Sequence, residues 1–218
     1  MRLIRILALA AATTVAAVPA GAQQGAAAPT PARVTAATPA PSLTSYVIDP
    51  VHSELSFRIR HLLGRVAGTF GEWGGTVAID TLVPANSVVN VSIQTSSIDT
   101  RVGDRDKHLR TPDFFAADSF PTMTFKSTNV TVQGNKIRVR GDLTIRGRTK
   151  PVLLVGTYEG QFEDPWGKMR TAFIASTTIN RQDFGVSFNA PFEQIGQIGD
   201  EVRIEIAIEA VQQDAAQQ

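Results

Sequence analysis

The stretch that decides the fold is Val202-Arg203-Ile204-Glu205-Ile206-Ala207-Ile208-Glu209-Ala210-Val211. Val202, Ile204, Ile206, Ile208 and Ala210 alternate with Arg203, Glu205, Ala207, Glu209 and Val211, the period of a strand with one dry face and one wet face. A slip of one residue would exchange the faces, so the register is strongly specified. The same alternation continues outward along the chain. Ile137, Val139, Gly141, Leu143 and Ile145 alternate with Arg138, Arg140, Asp142, Thr144 and Arg146. Leu55, Phe57 and Ile59 alternate with Glu54, Ser56, Arg58 and Arg60, and Val89, Val91 and Ile93 with Asn90, Ser92 and Gln94. Punctuation by Gly, Pro, Asn and Asp places strands near 46–61, 66–80, 87–97, 122–133, 136–146, 149–163, 169–180 and 201–211. Gly134-Asn135 and Arg146-Gly147-Arg148 read as tight reversals between neighbours. Long strands in consecutive hairpins predict an all-β fold, an eight-stranded antiparallel barrel with short helical insertions, because closure removes the exposed edges.

The flanks are of a different kind. Residues 1–22 have the parts of a secretory signal: Arg2 and Arg5, an apolar run from Ile6 to Val18, and Ala20-Gly21-Ala22 before Gln23. The run is well short of the ~20 residues that span a bilayer, so it predicts export with cleavage after Ala22 and no transmembrane anchor. Residues 23–44 are rich in Ala, Pro and Thr, and Arg33 is their one charged residue; they read as a linker. The barrel domain is expected over 45–211 and a polar tail over 212–218. Lys and Arg number 21 against 20 Asp and Glu, which lacks the basic excess of a nucleic-acid binder. The chain has no Cys, which excludes disulfides, thiolate metal sites and Cys nucleophiles.

Two segments interrupt the alternation, Ser97 to Pro121 and Asn180 to Asp200, and both read as insertions over an end of the barrel, as a lid or as a plug. Chemical motifs are sparse: there is no HExxH, no G-x-S-x-G, no P-loop and no GxGxxG. Asp49-x-x-His52-Ser53 contains the residue types of a nucleophilic triad, but crowding at one strand start argues that Asp49 and Ser53 satisfy backbone groups beside Pro50. No metal is expected, since a site would have to be assembled from remote parts. Asp104 to Arg110 is the densest ionisable stretch, either a solvated helix face or a contact for a polar ligand head. Arg146, Arg148 and Lys150 read as a soluble turn or as a weak attraction to an anionic membrane.

Taken in order, several motifs resemble the YceI-like family. They are Tyr46-x-Ile48-Asp49-Pro50-x-His52-Ser53, Gly64-Arg65-Val66-x-Gly68-x-Phe70, Arg105-Asp106-x-His108-Leu109-Arg110-x-x-Asp113-Phe114-Phe115, Phe120-Pro121-x-x-x-Phe125, Gly141-Asp142-Leu143-Thr144-Ile145-x-Gly147 and Ile179-Asn180-Arg181-x-Asp183-Phe184-Gly185. The resemblance covers Tyr46 to Val211. It implies a lipocalin-like barrel, exported to the periplasm, that holds a polyisoprenoid such as an isoprenoid quinone or a prenyl phosphate, with no catalytic residues and no cofactor beyond that ligand.

On this reading the tunnel lining falls on dry-face positions: Leu55, Phe57, Ile59, Val91, Ile93, Phe125, Val139, Leu143, Leu154, Phe173 and Ile206. Head-group contacts fall on His52, Arg105, His108 and Arg110. The partner is a long apolar small molecule, and the subunit count, monomer or homodimer, stays open. Two alternatives remain. One is an enzyme acting on such a lipid, with Asp49, His52, Arg105 and His108 converging. The other is an outer-membrane barrel, since alternation alone does not say which face points out; two Trp and two Tyr would make it a poor interfacial girdle.

Overall fold

The structure is a computed structural model that describes residues 43–188 and 198–213. The expected signal, all but the end of the linker, Phe192 within the second irregular segment and the last residues of the tail lie outside them. The strands are β1 (Leu43–Ile48), β2 (Glu54–His61), β3 (Gly64–Phe70), β4 (Trp73–Asp80), β5 (Val88–Gln94), β6 (Ile98–Asp99), β7 (Thr122–Gln133), β8 (Lys136–Ile145), β9 (Arg148–Glu163), β10 (Met169–Asn180) and β11 (Ile198–Gln212). The helix α1 spans Gly103–Arg110. The barrel therefore starts at Leu43, inside the expected linker, and its last strand reaches Gln212.

These strands form a closed eight-stranded antiparallel barrel. β1 with β2, β3 with β4 and β5 with β6 each run as one bent strand, which accounts for the eight segments legible in the alternation. Neighbours along the chain pair with one another, and β11 closes the ring. One edge of β11 pairs with β10, from Arg170↔Val211 to Asn180↔Glu201. Its other edge pairs with β2, as in Ile206↔Leu55, and then with β1, as in Tyr46↔Gln212. The break at residues 49–53 lets one chain segment serve both halves of that edge.

The apolar faces point inward. On β8, Ile137, Val139, Gly141, Leu143 and Ile145 are buried, whereas Lys136, Arg138, Arg140 and Asp142 are exposed. Lys126 and Arg203 are likewise exposed in mid-strand. A membrane-spanning barrel needs an apolar band on its outside; charges at these positions remove that alternative. Among the described residues no helix is long and apolar enough to cross a membrane.

The two ends differ. The hairpin β2–β3, the segment carrying α1, the β8–β9 turn and the segment after β10 gather at one end, the roof. At the other end, the floor, Tyr46 is buried and Phe173 packs on Tyr158 with ring centroids 5.4 Å apart. Outside the floor Arg170 ties three elements together: it donates to Asp164 at 2.8 Å, to Asp49 at 2.9 Å and to Glu209 at 2.6 Å.

The Asp49 carboxyl is lowered from 3.8 to about 2, first by its hydrogen bond with His52 and then by that with Arg170, against an opposing effect of burial. A carboxyl depressed in the folded state adds stability above its unfolded pKa and loses it as pH falls through the folded one. The thermal midpoint should therefore drop between pH 4 and 2. Asp80, Asp164 and Glu205 are lowered too, so Asp49→Asn should flatten the drop without abolishing it. An unchanged slope in the variant's pH-dependent melting would contradict this assignment.

Candidate functional site

Above the floor the barrel is hollow. A cavity of about 360 Å³ lies inside it, and its lining is apolar at all but eight residues: Ser56, Arg60, His61, Thr100, Arg105, His108, Thr177 and Arg181. Nine of the eleven expected lining residues reach it, namely Leu55, Phe57, Ile59, Val91, Ile93, Phe125, Leu143, Leu154 and Ile206. Val139 and Phe173 do not. Val139 is buried in the packed core with Val130, and Phe173 lies against Tyr158 at the floor, so side chains fill the interior at those levels. Glycine helps to set where the hollow begins: a Cβ at Gly141 would collide with the Phe125 ring, so its absence lets that ring lie flat on β8.

The roof is built from both irregular segments. Phe114 and Phe184 are buried members of the core, so these segments plug the end as well as cover it. His108, Phe114 and Phe188 stack mutually, with centroids 4.8 to 5.1 Å apart, and join the α1 segment to the one after β10. Residues 189–197 lie outside the described residues. Arg146 at the β8–β9 turn donates to the Phe114 and Gly185 carbonyls, both at 2.7 Å, and thus pins the two segments together. Arg146 was legible only as part of a basic turn, because nothing in the local pattern shows which carbonyls would come within its reach.

Helix α1 is held by a buried carboxylate. Asp106 accepts from the backbone N–H of Thr100 at 2.9 Å and from its hydroxyl at 2.5 Å. Arg105 in turn donates through Nε to Thr100 Oγ1 and through Nη2 to Thr100 O. Arg105 also lies in the cavity lining. His108 bonds Asp113 at 2.9 Å. Arg60, His61 and His108 are exposed members of the lining and mark where the cavity meets solvent.

Of the four expected head-group residues, the structure brings Arg105 and His108 to this mouth. Arg110 is spent on the carbonyls of Ser96 and Ile98. His52 lies towards the floor, bonded to Asp49 at 2.8 Å. Arg60 and His61 were missed because both read as polar ends of an alternating strand. The convergence of Asp49 and His52 with Arg105 and His108, on which the enzyme alternative rested, is therefore not formed. Ser53 is no nucleophile partner either: its hydroxyl donates to Glu209 O and accepts from Glu209 N. Asp49, His52 and Glu209 do bring potential metal-ligand atoms within 4.8 Å of one another, but Arg170 already bonds both carboxylates.

A closed β-barrel with an apolar cavity and a polar mouth defines the class: a small-ligand barrel. Residues 46–210 match the family model described as YceI-like domain. Protein YceI of Shigella flexneri is 41% identical over 163 residues, covering 74% of this chain and 83% of that relative. The chain belongs to the YceI-like family. Among solved structures, BcnA of Burkholderia cenocepacia has the same fold, with a TM-score of 0.67 at 23% identity over 74% of this chain and 98% of that one. So does a polyisoprenoid binding domain from Saccharophagus degradans, with a TM-score of 0.56 at 14% identity over 79% of this chain and all of that one.

Removing the Asp106 carboxylate leaves the Thr100 N–H and hydroxyl without their acceptor. Asp106→Ala should cost about 2 kcal/mol in urea unfolding and loosen α1; wild-type stability in the variant would show that the carboxylate does not anchor the roof.

Proposed function

We propose that this protein is a periplasmic carrier or store that holds a polyisoprenoid, an isoprenoid quinone or a prenyl phosphate, in the upper half of its barrel. The observation that carries the reading is the apolar cavity itself, bounded by Leu55, Ile93, Phe125, Leu143 and Ile206 and polar only at scattered points and its mouth. Burying roughly 500 Å² of isoprenoid at ~25 cal/mol/Å² contributes about 12 kcal/mol, against association and ordering costs of about 4 to 15 kcal/mol. An apolar chain can therefore be held at micromolar affinity or better without a strong head-group bond. The polyisoprenoid-binding domain of the same fold supports the choice of ligand class. The signal read over residues 1–22 supports the periplasmic location.

Binding without turnover is favoured because the polar groups at the mouth are already committed to the roof: Asp106 to Thr100, His108 to Asp113, and two of the Arg105 nitrogens to Thr100. The Thr100 hydroxyl, which donates to the buried Asp106 carboxylate and accepts from Arg105, is held as part of the anchor of α1. Arg105, a cation in the cavity lining, is the residue to meet an oxygen of the ligand head.

Leu143→Trp and Ile206→Trp should fill the cavity, retain the wild-type far-UV circular dichroism and lower the isoprenoid recovered by organic extraction and mass spectrometry more than tenfold. Folded variants that carry as much lipid as the parent would reject the proposal. Arg105→Ala should weaken prenyl phosphate more than a neutral quinone in competition binding. Equal weakening of both would place the head group elsewhere.

A further inference from the structure

A tight turn at the cavity's rim is made of residues that such turns avoid. Leu62 and Leu63 alone join β2 to β3, because His61 pairs directly with Gly64. Two-residue hairpin loops favour Asn, Asp and Gly, whose backbones accept positive φ. Leu62 instead sits at φ +50°, a conformation that a bulky side chain resists. Packing does not offset the strain: Leu62 is half exposed and Leu63 fully exposed. Leu62 thus works against the fold on two counts, strain and exposure, and Leu63 on one, exposure.

The charges behind the tip make the same point. Arg60 and Arg65 are exposed and are direct cross-strand partners, the like-charge arrangement that destabilises an antiparallel pair. Arg60 donates only weakly, at 3.4 Å, to the Leu62 carbonyl. Asp200, which follows the Gly199 packed against Arg60, is taken up by Arg181 and Gln182. Two unpacked leucines in front of two opposed guanidiniums are what an anionic interface would relieve. The leucines would enter the acyl boundary while the arginines stay among the phosphates.

We propose that the β2–β3 tip docks this protein on an anionic phospholipid bilayer with the mouth of the cavity against the headgroups. Arg60 and His61, which end β2 at the tip, also line the cavity, so docking would bring mouth and bilayer together. The purpose of docking, exchange of an apolar ligand with the bilayer, rests on the carrier reading; docking itself does not.

The test is co-sedimentation of the exported protein with vesicles of phosphatidylglycerol and phosphatidylethanolamine, and with vesicles of phosphatidylcholine alone. Binding to the anionic vesicles should be about tenfold stronger and should weaken with added salt. Leu62→Gly combined with Leu63→Asn puts Gly at the one positive-φ position, as the turn prefers. The melting temperature should stay or rise while vesicle binding falls about tenfold, so misfolding could not account for the loss. Arg60→Gln with Arg65→Gln should remove the preference for anionic lipid. Undiminished binding by the leucine variant would overturn the proposal. So would failure of the parent to bind vesicles together with a dimer that the leucine variant disrupts, since the tip would then belong to a second copy of the chain. Leu143→Trp separates the two readings: it should lose the lipid cargo and keep its vesicle binding.

Discussion

Closure through β11 is the constraint on which the rest of the structure depends. This strand holds β10 on one edge and both β1 and β2 on the other, so the curl of the sheet becomes a wall without ends. Most strands carry an apolar face, and closing the ring sends those faces to one interior. A one-residue slip of β11 would bring Arg203 and Glu205 inside and put Ile204 and Ile206 out, which no neighbouring strand could accommodate. The bend at Asp49 to Ser53 makes the double pairing feasible. Arg170 secures it from outside by bonding Asp49, Asp164 and Glu209.

Closure alone gives an interior but not a hollow one. Aromatic side chains decide how much of it is filled. Tyr46, Tyr158 and Phe173 crowd the floor, and Phe125 lies across Gly141, whereas aliphatic side chains from β2, β5, β9 and β11 stand around open space above. The roof is a second aromatic assembly, in which Phe114, Phe188 and His108 interlock. Asp106 and Arg146 fix it through backbone groups that would otherwise lack partners. The polar residues of the mouth therefore serve the roof first, and the ligand class follows from the walls.

The strand pattern was legible because period-two alternation is local information. The nine dry-face residues that do line the cavity were readable for the same reason. Val139 and Phe173 share that pattern, yet they lie at levels filled by neighbours, and level along the barrel axis is a property of the closed ring. Arg110 and His52 show the same limit for charges. Their residue types suit a ligand head, but the carbonyls and carboxylates that engage them come from distant segments. Arg60 and His61 became candidates only once β2 was seen to end at the mouth. The leucine turn stood in plain view in the sequence, and its meaning emerged from its exposure and its backbone conformation.

The central claim is that the apolar residues surround open space in the upper half of the barrel. A crystal of the delipidated protein pressurised with xenon tests this most directly, since xenon enters dry apolar cavities of this kind. The account predicts xenon density between Leu143, Ile93 and Ile206, with those side chains in place. A lumen packed solid with protein atoms and free of xenon would contradict it.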